Sequence, residues 1–596
     1  MNLRAFRYLL IILFSVLISA CSAAPQKPKQ ITAGNYDYVK EYLSWLINKE
    51  MKQQQVMGAS IAIVDNQKVV WAQGFGYADI KNKVPATPET VYPIGSISKL
   101  FTVTATMQLA EQGKIDIDQP LQKYLPQFSI KSRFPESGPV TPRSMMTHHS
   151  GLPNDMPKGA LTSEPPSTLL YRLKDEYVAY PTNYVLAYSN VAMALLGLMI
   201  EQVSTTEFSE YMDQSIFAPM GMQHSSFKLT PKIKGFLSNG YRNGNEAKQI
   251  QLRDVAAGSM HSNVLDLSCF IKMLFAKGVA DSRQILQPGT VDEMLRPQNE
   301  AVALDFDQRI GLGWFLTYAG KNDEKIGSHA GNMPLFHITL AIVPGKKIGV
   351  VLLTNSAEGC RIYDEIAAAA LKLAIEAKTG YALEKGEHKI SAPDKIASEE
   401  MLQAFVGRYA TINMLGSVER NKETLSAHVG GYEVELIPSS NGEFGVARKW
   451  LGLFSQEKVG DLELSKVKAR RMDVAGRQLL IVRYDDRPWF TAEKIDPLPL
   501  PETWENALGK YEVINPDAEG SIQDVTLSRD DDLLVFTYSF PAWGSGKRIL
   551  YFASISETEA ITLGIGRNSG ETMRIINIDN QKGIYFFGFK MKKIPV

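Results

Sequence analysis

At 596 residues the chain is too long for one compact core, and about two to four domains are expected. Hydrophobic content of 44% with 21% charged residues excludes an intrinsically disordered chain. Lys+Arg and Asp+Glu both number 64, so the balance gives no electrostatic reason to expect a nucleic-acid partner, and no like-charge run suggests a polyanion-binding tail.

The chain opens with a basic pair, Arg4 and Arg7, followed by an apolar run over 8–18. That run has the length of a secretory signal and is short for a membrane span. It ends in Ile18-Ser19-Ala20-Cys21. Small residues just before a Cys resemble the lipobox of bacterial lipoproteins. The resemblance implies that 1–21 is a signal segment whose Cys21 is lipidated, leaving an exported protein anchored on the periplasmic face of the cell envelope. Ser22 after the Cys points to the outer membrane in a Gram-negative source. A plain cleaved signal with an incidental Cys21 is the alternative. Export permits a disulfide between Cys269 and Cys360, but two buried free thiols are expected.

Residues 22–35 read as a polar tether. From Tyr36 the apolar residues Val39, Tyr42, Leu43, Leu46 and Ile47 follow helical spacing. Runs 59–64 and 68–74, split by Asp65-Asn66-Gln67, predict a hairpin. Helices are predicted from Ser96 to Gln112, stopped by Gly113, and from Asn190 to Val203. Runs 337–343 and 347–353 form a second hairpin about Pro344-Gly345, and a helix over 362–377 closes the region. Strands at both ends and helices between them imply one sheet built from both ends with helices packed around it.

Residues 379–398 read as a linker. Beyond it, short alternating runs such as 432–437 and 478–484 favour β-structure. Phe405-Val406-Gly407-Arg408-Tyr409 recurs as Ala507-Leu508-Gly509-Lys510-Tyr511, and a Pro-rich break covers 496–501. Two tandem barrel-like modules, 399–496 and 502–596, are expected. One larger β-domain with an accidental repeat is the alternative.

Gly95-Ser96-Ile97-Ser98-Lys99 carries the chemistry. At a helix start, Ser96 and Lys99 share a face one turn apart, and the helix N-terminus offers N–H groups to an oxyanion. Serine needs a base within hydrogen-bond reach, and lysine serves only if its pKa falls from about 10.4. The pattern alone is weak, since it recurs at Ser225/Lys228, Ser455/Lys458 and Ser465/Lys468. Its company strengthens it. Tyr188-Ser189-Asn190 opens the second long helix, where a Tyr can shuttle the serine proton and an Asn can hold a substrate carbonyl. Gly327-Ser328-His329-Ala330-Gly331-Asn332 precedes the late strands. Gly331 would admit a substrate backbone to the strand edge, and the Asn332 N–H would be the second oxyanion donor.

Three such motifs in this order resemble the serine β-lactamase and penicillin-binding-protein superfamily, in its class C β-lactamase-related branch, peptidase family S12. Tyr92-Pro93-Ile94-Gly95-Ser96, Thr147-His148-His149-Ser150-Gly151-Leu152 and Ala256-Ala257-Gly258-Ser259-Met260 support the match, which covers about 35–378. The resemblance implies a mixed α/β penicillin-recognition fold over 36–378, with an antiparallel sheet flanked by helices, followed by the C-terminal all-β modules. It also implies a covalent acyl-enzyme on Ser96, with Lys99 and Tyr188 sharing proton transfer, either of them as base. Asn190 then contacts the substrate acyl group, and His329, Gly331 and Asn332 line its other side. No cofactor is implied, and adjacent His148-His149 are read as a structural loop rather than metal ligands.

One departure bears on substrate. Family β-lactamases carry Lys-Thr-Gly where this chain has His329-Ala330-Gly331. A mostly neutral His and a residue without a hydroxyl weaken carboxylate recognition. A small amide or ester, such as a D-amino-acid peptide or a carboxylic ester, is therefore expected ahead of a β-lactam. A catalytically idle envelope binding protein and a glycan-binding role for the β-modules are the competing readings. In relatives the C-terminal barrels shape access to the cleft, and the same is expected here.

Overall fold

The computed structural model describes residues 23–320, 323–382 and 398–595, apart from short gaps at 422–423, 439–441, 451–453, 457, 460–461, 486 and 545. The signal segment, Cys21 and most of the 379–398 linker lie outside the described residues. Among the described residues no helix is long and apolar enough to cross a membrane.

The first unit is layered around one antiparallel sheet. Helix α1 (Asp37–Gln54) leads into β1 (Gly58–Asp65) and β2 (Lys68–Asp79). The remaining long strands come late: β3 (Phe315–Ala319), β4 (Glu324–Asn332), β5 (His337–Val343) and β6 (Ile348–Thr354). The sheet order is β3-β4-β5-β6-β1-β2, with two-residue strands at both edges. Chain start and chain end meet at its centre, where Ala59 to Asp65 pair in register with Thr354 to Ile348. Alternation along β1 explains the two covered faces. Ala59, Ile61 and Ile63 face α1 and helix α5 (Tyr363–Thr379), whereas Ala62 and Val64 face the helical region between β2 and β3.

That region contains α2 (Ser98–Glu111), α3 (Asn190–Ser204) and α4 (Val264–Phe275). Nearly every side chain of α2 is buried, so it is the axis of the helical layer and not an amphipathic surface helix. It begins two residues later than the sequence suggests: Gly95–Ile97 is a tighter 3₁₀ turn, so Ser96 sits before α2 and not in it. Trp314 is fully buried and stacked on Phe270 at 6.3 Å, a packing role. Both cysteines are free, but neither is deeply buried. Cys269 is half-buried on α4 and Cys360 is exposed in the turn Ala357–Arg361, which follows β6 at the surface.

The C-terminal part forms two closed eight-stranded barrels. In the first, β7 (Gly407–Ala410), β8 (Leu415–Asn421), β9 (Thr424–Val429), β10 (Tyr432–Pro438), β11 (Phe444–Trp450), β12 (Val467–Val474), β13 (Arg477–Tyr484) and β14 (Arg487–Ile495) pair in sequence, and β14 closes on β7. In the second, β15 (Gly509–Val513), β16 (Gln523–Asp530), β17 (Leu533–Ser539), β18 (Lys547–Ser554), β19 (Glu559–Thr562), β20 (Thr572–Ile578), β21 (Gln581–Phe586) and β22 (Phe589–Lys593) do the same, β22 closing on β15.

The sequence repeat is the closing joint of each barrel. Tyr409 donates its hydroxyl to the Phe405 carbonyl at 2.9 Å, and Tyr511 does the same to Ala507. Gly407 and Gly509 have φ of +146° and +149°. A Cβ on either would crowd the last strand, at 2.5 Å from Lys494 Cε and 2.8 Å from Lys593 Cε.

Both barrels rest on the α/β unit. Arg477 of the first donates to the Tyr184 hydroxyl at 3.0 Å. In the second, Glu559 pairs with Arg133 at 2.8 Å, and Tyr585 donates to Glu176.

Candidate active site

The turn that carries Ser96 is fixed by its neighbours. Gly95 supplies φ +52°. Buried Ser98 donates to the Gly95 carbonyl at 2.6 Å and accepts from the Met260 N–H at 3.0 Å. Thr102, one turn on, donates to the Ala256 carbonyl at 2.7 Å. Segment 256–260 is thus stitched to the start of α2, which is why these distant stretches belong to one site.

Lys99 is completely buried, whereas Ser96 remains partly exposed. The serine hydroxyl can be reached from solvent and the lysine amine cannot. Lys99 Nζ lies 3.0 Å from Ser96 Oγ and 2.7 Å from the Ala257 carbonyl oxygen. Burial, and then the positive charge of Arg567, bring its pKa down to about 7. As a neutral amine Lys99 keeps one N–H on Ala257 and turns its lone pair to the serine hydroxyl.

Tyr188 is hydrogen-bonded to Ser96, and its ring is hemmed in by cations and imidazoles. Lys99 Nζ is 4.9 Å from the ring centre, Arg567 Cζ 4.8 Å, and the His148 ring 4.2 Å. Burial raises its phenol above the usual value, so it holds its proton at neutral pH. Asn190 is the first residue of α3, capped by Ser189, and donates Nδ2–H to Asp155 Oδ1 at 2.6 Å.

The third motif is strand β4. His329 is buried, with its ring 6.2 Å from that of Tyr188, and its Nδ1 is 2.7 Å from the Ala330 carbonyl oxygen. Nδ1 must therefore be the protonated nitrogen, leaving Nε2 as a bare acceptor without a partner among the described residues. Burial and Lys99 hold its pKa near 3, so it is neutral. Gly331 serves a different purpose from the one the sequence suggests. A Cβ there would lie 2.0 Å from the Ile94 carbonyl oxygen, so the glycine lets β4 lie against the chain leading to Ser96. The backbone nitrogen of Asn332 sits beside that turn, 3.2 Å from where a Cβ on Gly95 would stand. The Asn332 side chain is engaged elsewhere, accepting from His337 Nδ1 at 2.8 Å.

Ser96, Lys99, Tyr188, Asn190, His329, Gly331 and Asn332 are thus brought together, while Cys21 is outside the described residues. Three contributors escaped the sequence reading. His148, read as part of a structural loop, adopts φ +60° and accepts the Ser189 N–H on Nδ1 at 3.2 Å, which places its ring on Tyr188. Asp155 joins Asn190 to Arg567. Arg567 comes from the loop between β19 and β20 of the second barrel, and no local pattern marks it. Beside the site a cavity of about 430 Å³ is lined by Pro93, Gly258, Ser259, Leu335 and Phe336 among others.

The sheet, the helical layer and the serine–lysine–tyrosine cluster define the penicillin-recognition fold. A family model described as Beta-lactamase matches residues 43–374, more than half of the chain, and the chain belongs to that family. Protein flp of Staphylococcus aureus (strain NCTC 8325 / PS 47) is 27% identical over 329 residues, covering 53% of this chain and 63% of flp. The chain therefore spans less than two thirds of that relative's length. Beta-lactamase-like protein 2 of Dictyostelium discoideum is 27% identical over 450 residues, covering 70% of this chain and 79% of the relative. Among solved structures, the octameric penicillin-binding protein homologue from Pyrococcus abyssi superposes with a TM-score of 0.51 at 24% identity, covering 77% of this chain and 100% of its own. SurE with D-Leu superposes with a TM-score of 0.51 at 19% identity, covering 76% and 98%. At these identities the structural likenesses speak for the fold alone.

Proposed function

We propose that the protein is a serine hydrolase that cleaves a small amide or ester through an acyl-enzyme on Ser96, in the manner of peptidase family S12. The observation that carries this reading is the buried Lys99 amine at 3.0 Å from Ser96 Oγ with its pKa brought to about 7. A base with that pKa is half neutral near pH 7 and can take the serine proton as the Oγ–carbon bond forms. Lys99 is thus the base, and Tyr188, neutral and bonded to Ser96, passes the proton to the leaving group. The N–H groups of Ser96 and Asn332 are the natural pair for the oxyanion. His329 is neutral and Ala330 has no hydroxyl, so these two positions lack the Lys-Thr pair with which family β-lactamases hold the substrate carboxylate, and an amide or ester is ranked ahead of a β-lactam. Anchoring through a lipidated Cys21 on the cell envelope is part of the same proposal and rests on the lipobox-like sequence.

The test is intact-protein mass spectrometry after a fluorophosphonate and after a penicillin, beside Ser96→Ala. Expected is a fluorophosphonate adduct on Ser96 that the variant lacks, with penicillin, whose carboxylate also lies on the leaving-group side, the slower of the two to acylate. No adduct from the fluorophosphonate in folded protein would sink the hydrolase reading and favour an idle binding protein.

A further inference from the structure

We infer that Arg567, delivered by the second barrel, binds a carboxylate on the leaving-group half of the substrate, so that the enzyme releases a product bearing a free carboxylate, such as an amino acid or the C-terminal part of a peptide. The inference rests on the hydrolase reading of Ser96.

Four observations carry it. First, the guanidinium is in the site but not used up. Its carbon is 4.8 Å from the Tyr188 ring centre, its side chain is 48% exposed, and among the described residues it makes one hydrogen bond, to Asp155 Oδ2 at 3.2 Å. Guanidinium has five N–H donors in a planar fork suited to carboxylates, so an open edge remains. Second, it is held in place. The Gly566 N–H donates to the Tyr180 hydroxyl at 3.2 Å, and the Asn568 N–H donates to Asn154 Oδ1, so both flanking residues are pinned to the α/β unit. Glu571 fastens the end of the loop by accepting the Asn154 N–H at 2.8 Å. Third, Asp155 fixes the side chain from below, since its other oxygen is held by Asn190. Fourth, the β4 positions beside Tyr188 are the neutral His329 and Ala330, and Lys325 at the far end of that strand is turned to the Leu295 carbonyl, so the cation over Tyr188 in the open part of the site is the one from the barrel.

Position decides which half of the substrate is recognised. Tyr188 is the group that returns the proton to the departing atom, and Arg567 lies over that ring. Ser96 Oγ bonds to the carbonyl carbon, the carbon–nitrogen or carbon–oxygen bond of the scissile link breaks, and the serine proton ends on the leaving atom by way of Lys99 and Tyr188. The leaving fragment therefore departs beneath the guanidinium. Water then cleaves the ester, its hydroxyl going to the acyl carbon and its proton back to Ser96.

The experiment uses the full chain and two benzoylglycyl thioesters. One has a mercaptoacetate leaving group and the other the uncharged mercaptoacetamide. kcat/KM is measured for both with the wild type, Arg567→Ala and Arg567→Lys, alongside fluorophosphonate labelling of Ser96. The wild type is expected to prefer the charged thioester by about ten- to a hundredfold, the range of a charge-assisted hydrogen-bond pair. That ratio falls towards one in Arg567→Ala and is partly kept in Arg567→Lys. A merely structural role for Arg567 would lower both substrates together and leave the ratio intact. Equal rates in the wild type, or a ratio unchanged in Arg567→Ala, overturn the inference while labelling of Ser96 leaves the hydrolase reading standing. No labelling and no turnover overturn both.

Discussion

Replacing Lys99 with Met separates activity from stability and reverses its effect with pH. In the folded protein Lys99 titrates near 7, against 10.5 unperturbed. Below pH 7 the folded state holds a buried ammonium, and the difference amounts to about 5 kcal/mol of destabilisation. Between pH 7 and 10.5 the unfolded chain binds more protons than the folded one, so the penalty shrinks as pH rises and is nearly gone at the upper end. Met matches the length of the chain and removes the penalty, but leaves the Ala257 carbonyl without its donor, which costs about 1–3 kcal/mol. The net expectation is a gain of about 2–4 kcal/mol at pH 6 and none, or a small loss, at pH 9.5.

Differential scanning calorimetry at both pH values reads this out in the transition of the α/β unit. At roughly 1–2 °C per kcal/mol for a unit of ~340 residues, the variant should melt roughly 2–8 °C higher at pH 6. In the same samples fluorophosphonate labelling of Ser96 should be lost. In the wild type its rate should rise with pH through a midpoint near 7, as the amine becomes neutral. A Tm difference that is the same at pH 6 and 9.5 would refute the depressed pKa, and with it the assignment of Lys99 as base.

Other consequences follow from particular contacts. Glu571 is buried between barrel and α/β unit with its pKa pushed up to about 8, so its penalty runs the other way, growing as pH rises from about 4.5 to 8 and constant above. Glu571→Gln keeps an acceptor for the Asn154 N–H, and its Tm gain over the wild type should be largest above pH 8. Gly331→Ala drives a Cβ to 2.0 Å from the Ile94 carbonyl, so fluorophosphonate labelling should fall by more than about tenfold through displacement of β4 from Ser96, while circular dichroism stays native. Gly509→Ala should lower the melting transition of the second barrel by about 1–3 kcal/mol, because φ +149° is unfavourable for any L side chain and the Cβ meets Lys593.

The parts of this molecule that were legible from sequence are those whose signal is local. The two hairpins, the helix before β1 and the one after β6 each declare themselves by periodicity, and the meeting of chain ends in one sheet follows from where the strand runs fall. The glycine–tyrosine repeat was legible because each barrel solves the same closing problem with the same few adjacent residues. The Ser96–Lys99 pair was legible through its company, Tyr188 with Asn190 and the stretch 327–332, because the Ser-x-x-Lys spacing alone recurs elsewhere in the chain. What stayed hidden depends on tertiary approach. Gly331 looked like a gap left for substrate, and only the Ile94 carbonyl shows that the protein's own backbone occupies that space. His148 looked like loop filler because nothing local says that a ring at φ +60° will land on Tyr188. Arg567 is the extreme case. It is a barrel-loop arginine with no motif, and its chemistry arises because Asn154, Asp155 and Tyr180 on one unit fasten the loop of another. It follows that in this chain the serine–lysine chemistry is encoded within a few residues, whereas the electrostatics around it are assembled across several hundred. Substrate choice should therefore respond to changes in the second barrel, and Arg567, whose charge also helps to lower the Lys99 pKa, couples that barrel to acylation as well.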